Sequence, residues 1–274
     1  MFLLRFALMV CLMASPSVFA ADSRTSIAAQ ASGGAFAQTG AYLTFMRMPA
    51  QGLGEWKDIV DCIREDGGNT MLLWMGGGFR SRKFPVTWQF NRDHRNIRHD
   101  FVRELIAHAH RRGVRVVLAL TPFGYDGVNQ FPMEHPELKA LKPDGSPVAE
   151  FGIDCWGWNL CPSKPASQQF MLEYAREMLF DFYPEADGLM LESSDYGVCQ
   201  CPDCRGRYFE KEFTFVRQIS DELWAARPGS QIIVYPHYFS GRKVRFAEAS
   251  GARLAFRSEE HTSELQSLAY LVCR

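Results

Sequence analysis

Residues Asp187–Cys204, DGLMLESSDYGVCQCPDC, decide how the rest of the chain is read. Gly188, Met190 and Glu192 alternate with Leu189 and Leu191. That period of two predicts a strand with one face toward a barrel interior and the other beneath helices. Glu192 stands where the apolar run stops, and Asp195 follows one short loop step later. A carboxylate at the last inward position of a parallel strand lies at the rim where α/β barrels assemble their active sites. The same stretch then closes on a cysteine cluster.

Outward from this strand, apolar segments of strand length alternate with helical ones. Ala41–Met48 reads as a first strand and Gly54–Asp66 as a helix through Trp56, Ile59, Val60 and Ile63. Asn69–Met75 is a second strand, His99–Arg112 a second helix stopped by Gly113, and Val114–Leu120 an unbroken β-branched and apolar run. Thr121–Pro165 is an excursion far longer than a connection needs, a length associated with function. A helix over Ala166–Phe182 precedes the deciding strand; a helix over Tyr208–Ala226 and a strand over Gln231–Tyr235 follow it. Five strand units joined by helices predict an α/β fold, a (β/α)8 TIM barrel cut after about five βα units. A doubly wound open sheet shares the pattern, but no GxGxxG turn follows the first strand.

At 274 residues, 47% hydrophobic and with a net charge of −1, the chain can bury a sizeable core and carries no charge signature of a nucleic-acid partner. Its first twenty residues, MFLLRFALMVCLMASPSVFA, have an early Arg5, an apolar centre and small residues at Val18 and Ala20, the pattern of a secretory signal peptide. The protein is therefore expected to be periplasmic or secreted, with no membrane association after cleavage. Residues 21–40, rich in Ala, Ser, Gln and Gly, read as a linker, and residues 41–256 as the barrel. Arg257–Arg274, RSEEHTSELQSLAYLVCR, interrupts the pattern. It resembles the translation of a common sequencing adapter, with Leu268 and Ala269 in the place of a sample index, and is set outside the fold as read-through.

Glu192 and Asp195 offer a proton-transfer pair, although Glu192 can equally hold the next loop and Asp195 cap the turn at Gly197. Trp74, Phe123, Tyr125, Trp156, Trp158 and Tyr238 fall at strand ends or in rim loops. Their rings suit the apolar faces of sugars, and with Asp126, Asp154 and His237 they predict a polar and aromatic cleft for a carbohydrate. A non-catalytic carbohydrate-binding barrel would share these features; a metal-dependent hydrolase needs more histidines at strand ends than His237. No cofactor is expected for catalysis, and oligomeric state has no signature in the sequence.

Outside the signal and the tail lie Cys62, Cys155, Cys161, Cys199, Cys201 and Cys204. An even set in an exported chain predicts disulfides, such as one joining the Cys155–Cys161 loop to the Cys199–Cys204 loop. The sharper alternative is a structural zinc site using Cys161, Cys199, Cys201 and Cys204.

From Ala41 to Phe239, the order of elements and the segments LCPSKP (160–165), ADGLMLESSDYG (186–197) and CQCPDC (199–204) resemble the catalytic barrels of secreted bacterial glycoside hydrolase-like proteins. The resemblance implies an acid/base glutamate at the end of the fourth strand, at Glu192, and a second carboxylate from a later strand. Leu191 stands where the commonest such barrels have the asparagine of an Asn-Glu pair.

Overall fold

The computed structural model describes residues 38–125, 127–149, 157–194, 197–235, 255–256 and 269–270. Strands β1 (Gly40–Thr44), β2 (Thr70–Trp74), β3 (Arg115–Leu120), β4 (Gly188–Glu192) and β5 (Gln231–Tyr235) pair in parallel in chain order. Helices α1 (Leu53–Glu65), α2 (Val102–Arg111), α3 (Pro165–Arg176) and α4 (Tyr208–Ala226) form the crossovers, and α3 continues as a π-helical turn over Glu177–Phe182. These are the five units the sequence periodicity predicts. Gly113 ends α2 at φ 72°, a left-handed conformation that costs glycine little, and Val114 N–H then closes on Ala109 C=O at 2.8 Å.

The alternation expected of β4 holds across the sheet. Met71, Leu73, Val116, Leu118, Leu189 and Leu191 face the helices and form the main core with Trp56, Leu105, Ile106, Met171, Phe215 and Ile219. Leu72, Trp74, Val117, Ala119, Met190 and Ile233 make a second cluster on the other face. Because β3 is covered on one side by helices and filled on the other, its run needs no polar alternation. Asp187 pins the entry to β4: its carboxylate accepts from Val116 N–H at 2.7 Å and meets His110 Nε2 at 2.8 Å.

The second face is concave. The Gln38 and Gln231 amides bond to one another at 2.9 Å, although β1 and β5 are four strands apart. Tyr42 on β1 likewise reaches Glu192 on β4. On a flat sheet three strand spacings alone separate backbones by roughly 14 Å, so these contacts require the sheet to curl around its inner face. The strand order is β6-β5-β4-β3-β2-β1-β7, where β6 is Ala255–Phe256 and β7 is Ala269–Tyr270, and its two ends do not pair among the described residues.

Three boundaries differ from the sequence reading. The first strand stops at Thr44 rather than Met48, because Phe45 and Met46 turn into the core and Asn96 Nδ2 binds Phe45 C=O at 2.6 Å. The sheet side starts within the span read as linker, since Gln38 already bonds Gln231 and Gly40 opens β1. Within the tail set outside the fold, Ala269–Tyr270 lies antiparallel to Ala41–Tyr42; an edge strand with open backbone groups pairs with whatever extended segment reaches it. Among the described residues, no helix is long and apolar enough to cross a membrane.

Candidate functional site at the strand ends

Glu192 is the last residue of β4, on the same face as Met190, and stands in register with Tyr235 at the end of β5. It is half-buried, and Tyr42 Oη donates a hydrogen bond to its Oε2. Around it the inner face is aromatic. Trp74, at the end of β2, meets Tyr125 edge to face, with centroids 5.5 Å apart and planes at 88°. The Arg47 guanidinium lies over both rings, 5.1 Å from Trp74 and 5.6 Å from Tyr125. Trp74 Nε1–H is buried with no hydrogen-bond partner among the described residues. A buried donor in that state costs stability, on the order of 1–3 kcal/mol, unless a ligand accepts from it.

The turn that delivers Tyr125 is strained. Phe123 and Tyr125 sit at φ 62° and 61°, where bulky side chains are seldom found. Between them Gly124 runs so close to the neighbouring loop that a Cβ there would lie 2.9 Å from Asn159 Oδ1 and 3.1 Å from Ser194 Cβ. Asn159 Nδ2 in turn donates to Gly197 C=O at 2.7 Å and to Ser194 Oγ at 3.3 Å. Ser193, next to Glu192, takes its N–H to Tyr235 C=O at 2.8 Å and its hydroxyl to the buried Glu212 of α4. The chain leaving β4 is thus held from three sides: β5, α4 and the β3–α3 excursion.

The expected site residues divide. Glu192, Trp74 and Tyr125 come together on the inner face. Phe123 does not join them: the left-handed turn sends its ring into the core, fully buried against Phe215 of α4 at 5.9 Å. Trp158 lies in the excursion, bridged to Ala149, with Lys139 Nζ 3.4 Å from its ring centroid. Asp195, Asp126, Trp156, His237 and Tyr238 lie outside the described residues. Sequence reading missed Tyr42, Arg47 and Tyr235. Tyr42 and Tyr235 could have been found from strand parity, since each shares the inward phase of its strand.

A second cluster stands beside the first. The sulfurs of Cys161, Cys199, Cys201 and Cys204 all lie within 4.8 Å of one another, and among the described residues they are the group of potential metal ligands that converges. Cys161 Sγ is 3.7 Å from Cys201 Sγ and 3.8 Å from Cys204 Sγ. A disulfide between these loops is not shown: the four cysteines are free, and the Cys161–Cys201 and Cys161–Cys204 separations are well beyond the S–S bond of about 2.05 Å. Cys155, the other partner considered, is outside the described residues. Sharing of protons with Cys199 and Cys204 lowers the pKa of the Cys161 thiol, while the same contact raises that of Cys199.

Comparisons with known proteins agree with this fold. No curated protein matches the sequence. The β-N-acetylhexosaminidase from Streptomyces coelicolor A3(2) superposes with a TM-score of 0.50 at 15% identity, over 81% of this chain and 48% of that one. The β-N-acetylhexosaminidase from Bacteroides fragilis NCTC 9343 also scores 0.50 at 15% identity, over 74% of this chain and 46% of its own. The chain spans about half the length of these proteins, and at such identity the likeness is one of fold. The model of the family described as hypothetical glycosyl hydrolase 6 matches residues 55–193, half of the chain, from α1 to the residue after Glu192, and the chain belongs to that family.

Proposed function

We infer that this protein is a glycosidase acting on a poly- or oligosaccharide by carboxylate acid/base catalysis. Glu192 delivers a proton to the leaving glycosidic oxygen, and Asp195 assists or positions substrate. The observation that supports this reading is the placement of Glu192 at the end of a parallel strand, on a concave inner face shared with Trp74 and Tyr125. The Trp74–Tyr125 pair is buried beneath Arg47, and displacing that guanidinium would open an apolar ring surface to a sugar and the Trp74 N–H to one of its hydroxyls. Tyr42 holds one oxygen of the carboxyl group and so sets the direction of the other.

The five curled strands are read as consecutive staves of a (β/α)8 barrel, whose C-terminal rim is the usual place for such chemistry. Glycosidases of this kind work with two carboxyl groups, about 5 Å apart in retaining enzymes and farther in inverting ones. The second carboxylate is assigned to a later strand of that barrel. Export follows from the N-terminal signal pattern and fits a polysaccharide substrate met outside the cytoplasm.

The test is turnover by the full-length protein on a panel of glycans and aryl glycosides, beside Glu192→Gln. Hydrolysis by the wild type that falls at least a hundredfold in the variant supports the reading. Carbohydrate binding without turnover in both proteins would replace it with a non-catalytic binding barrel.

A further inference from the structure

We propose that Cys161, Cys199, Cys201 and Cys204 hold one structural zinc ion as a closed tetrathiolate, which cross-links the β3–α3 excursion to the loop that leaves Glu192. A tetrahedron with Zn–S arms of about 2.3 Å has edges of about 3.8 Å. The Cys161–Cys201 and Cys161–Cys204 separations are 3.7 and 3.8 Å, and no sulfur of the four is more than 4.8 Å from another. Two disulfides would instead gather the sulfurs into short pairs.

The surroundings fit an ion rather than four idle thiols. Cys161, Cys199 and Cys204 are fully buried in a small apolar nest with Ala140, Val148 and Tyr208. Four sulfurs converging on one centre are the soft ligand set that selects zinc or iron. Leu141 N–H points at Cys199 Sγ at 3.4 Å, the type of outer contact that steadies a ligating sulfur. The local chain is shaped for it: Cys204 and Arg205 N–H both fold back on Cys201 C=O, at 3.0 and 2.9 Å, which brings the last two sulfurs to one centre. On binding, each sulfur that still carries a proton releases it to solvent as its S–Zn bond forms. With every position taken by sulfur the ion has no open site for substrate, so its role is structural.

Its placement gives that role content. Asn159, which holds Ser194 and Gly197, is two residues from Cys161, and Cys199 is two residues beyond Gly197. The ion therefore closes a short ring that includes the loop behind Glu192. None of this rests on the glycosidase reading, and the test needs no substrate.

Elemental analysis of the full-length protein, purified in reductant and without chelator, should find one zinc per chain. Cys161→Ser and Cys204→Ser should lose it, and cobalt(II) exchanged into the wild type should show the visible absorption of a tetrahedral thiolate site. Chelation should then raise hydrogen exchange in both the Leu138–Cys161 and Ser193–Cys204 segments. Wild-type protein without metal would overturn the proposal, whether its thiols label at once or its intact mass shows disulfides. An iron–sulfur chromophore, or zinc retained by both serine variants, would overturn it too. The wild-type count decides the matter even if a variant fails to fold.

Discussion

Tyr42 Oη and Glu192 Oε2 are joined by a hydrogen bond across the concave face, from β1 to β4. The contact links the shape of the sheet to the orientation of its candidate acid. A hydrogen bond of this kind is worth roughly 0.5–1.5 kcal/mol, enough to favour one rotamer of a half-buried carboxyl.

Tyr42→Phe removes only the hydroxyl and keeps the ring in the inner cluster. In the full-length protein we expect kcat to fall about two- to tenfold, from the hydrogen-bond energy above, with KM changed little. Steady-state kinetics on an aryl glycoside checks this; a rise in KM at constant kcat would assign Tyr42 to substrate binding instead.

Arg47 is exposed and lies over the rings of Trp74 and Tyr125. A cation–π contact at such a site is worth roughly 0.5–1 kcal/mol, so Arg47→Ala should lower the melting temperature slightly. Because the guanidinium covers the faces offered to a sugar, the same change should alter KM by severalfold. Thermal unfolding together with KM on an oligosaccharide separates the two effects.

The five βα units were legible because strands buried on both faces leave long apolar runs, and because Gly113 sits where a helix must stop. Cysteine spacing likewise announced a cluster. Phe123 misled for a local reason: a rim position in sequence says nothing of φ, and the left-handed turn at Phe123 carried its ring beneath α4. The Tyr42–Glu192 contact was out of reach because it depends on sheet curvature, which no periodicity encodes.

Arg176 and Glu222 form a two-pronged pair between α3 and α4, at 2.7 and 2.6 Å. The Arg176 hydrogen bonds hold the Glu222 carboxyl below the usual glutamate range. A lowered folded value means the stabilisation is fully present above the unfolded glutamate value of about 4.3. It is lost as pH falls from there through the folded value. Glu222→Gln should therefore destabilise the protein at neutral pH by roughly 0.5–1 kcal/mol, the discount reflecting its partial exposure. The difference from wild type should vanish in acid, as read by urea unfolding at several pH values.

Gly124→Ala tests whether the packing of the two loops matters to the site. The added methyl would stand 2.9 Å from Asn159 Oδ1, 3.1 Å from Ser194 Cβ and 3.2 Å from Ser194 Oγ. Overpacking of this kind costs roughly 1–3 kcal/mol. The contacts are side-chain atoms rather than backbone, so the strain can be relieved by moving Asn159 and Ser194 while the sheet stays intact. Asn159 is the residue that ties Gly197 and Ser194, and Ser194 is two residues beyond Glu192, so the displacement reaches the candidate acid. The expected outcome is a folded protein with a slightly lower melting point whose kcat drops at least tenfold. Asn159→Ala, which removes the same tie without adding volume, should lower kcat in the same direction. Unchanged kcat in both variants would show that Glu192 keeps its place without the β3–α3 excursion.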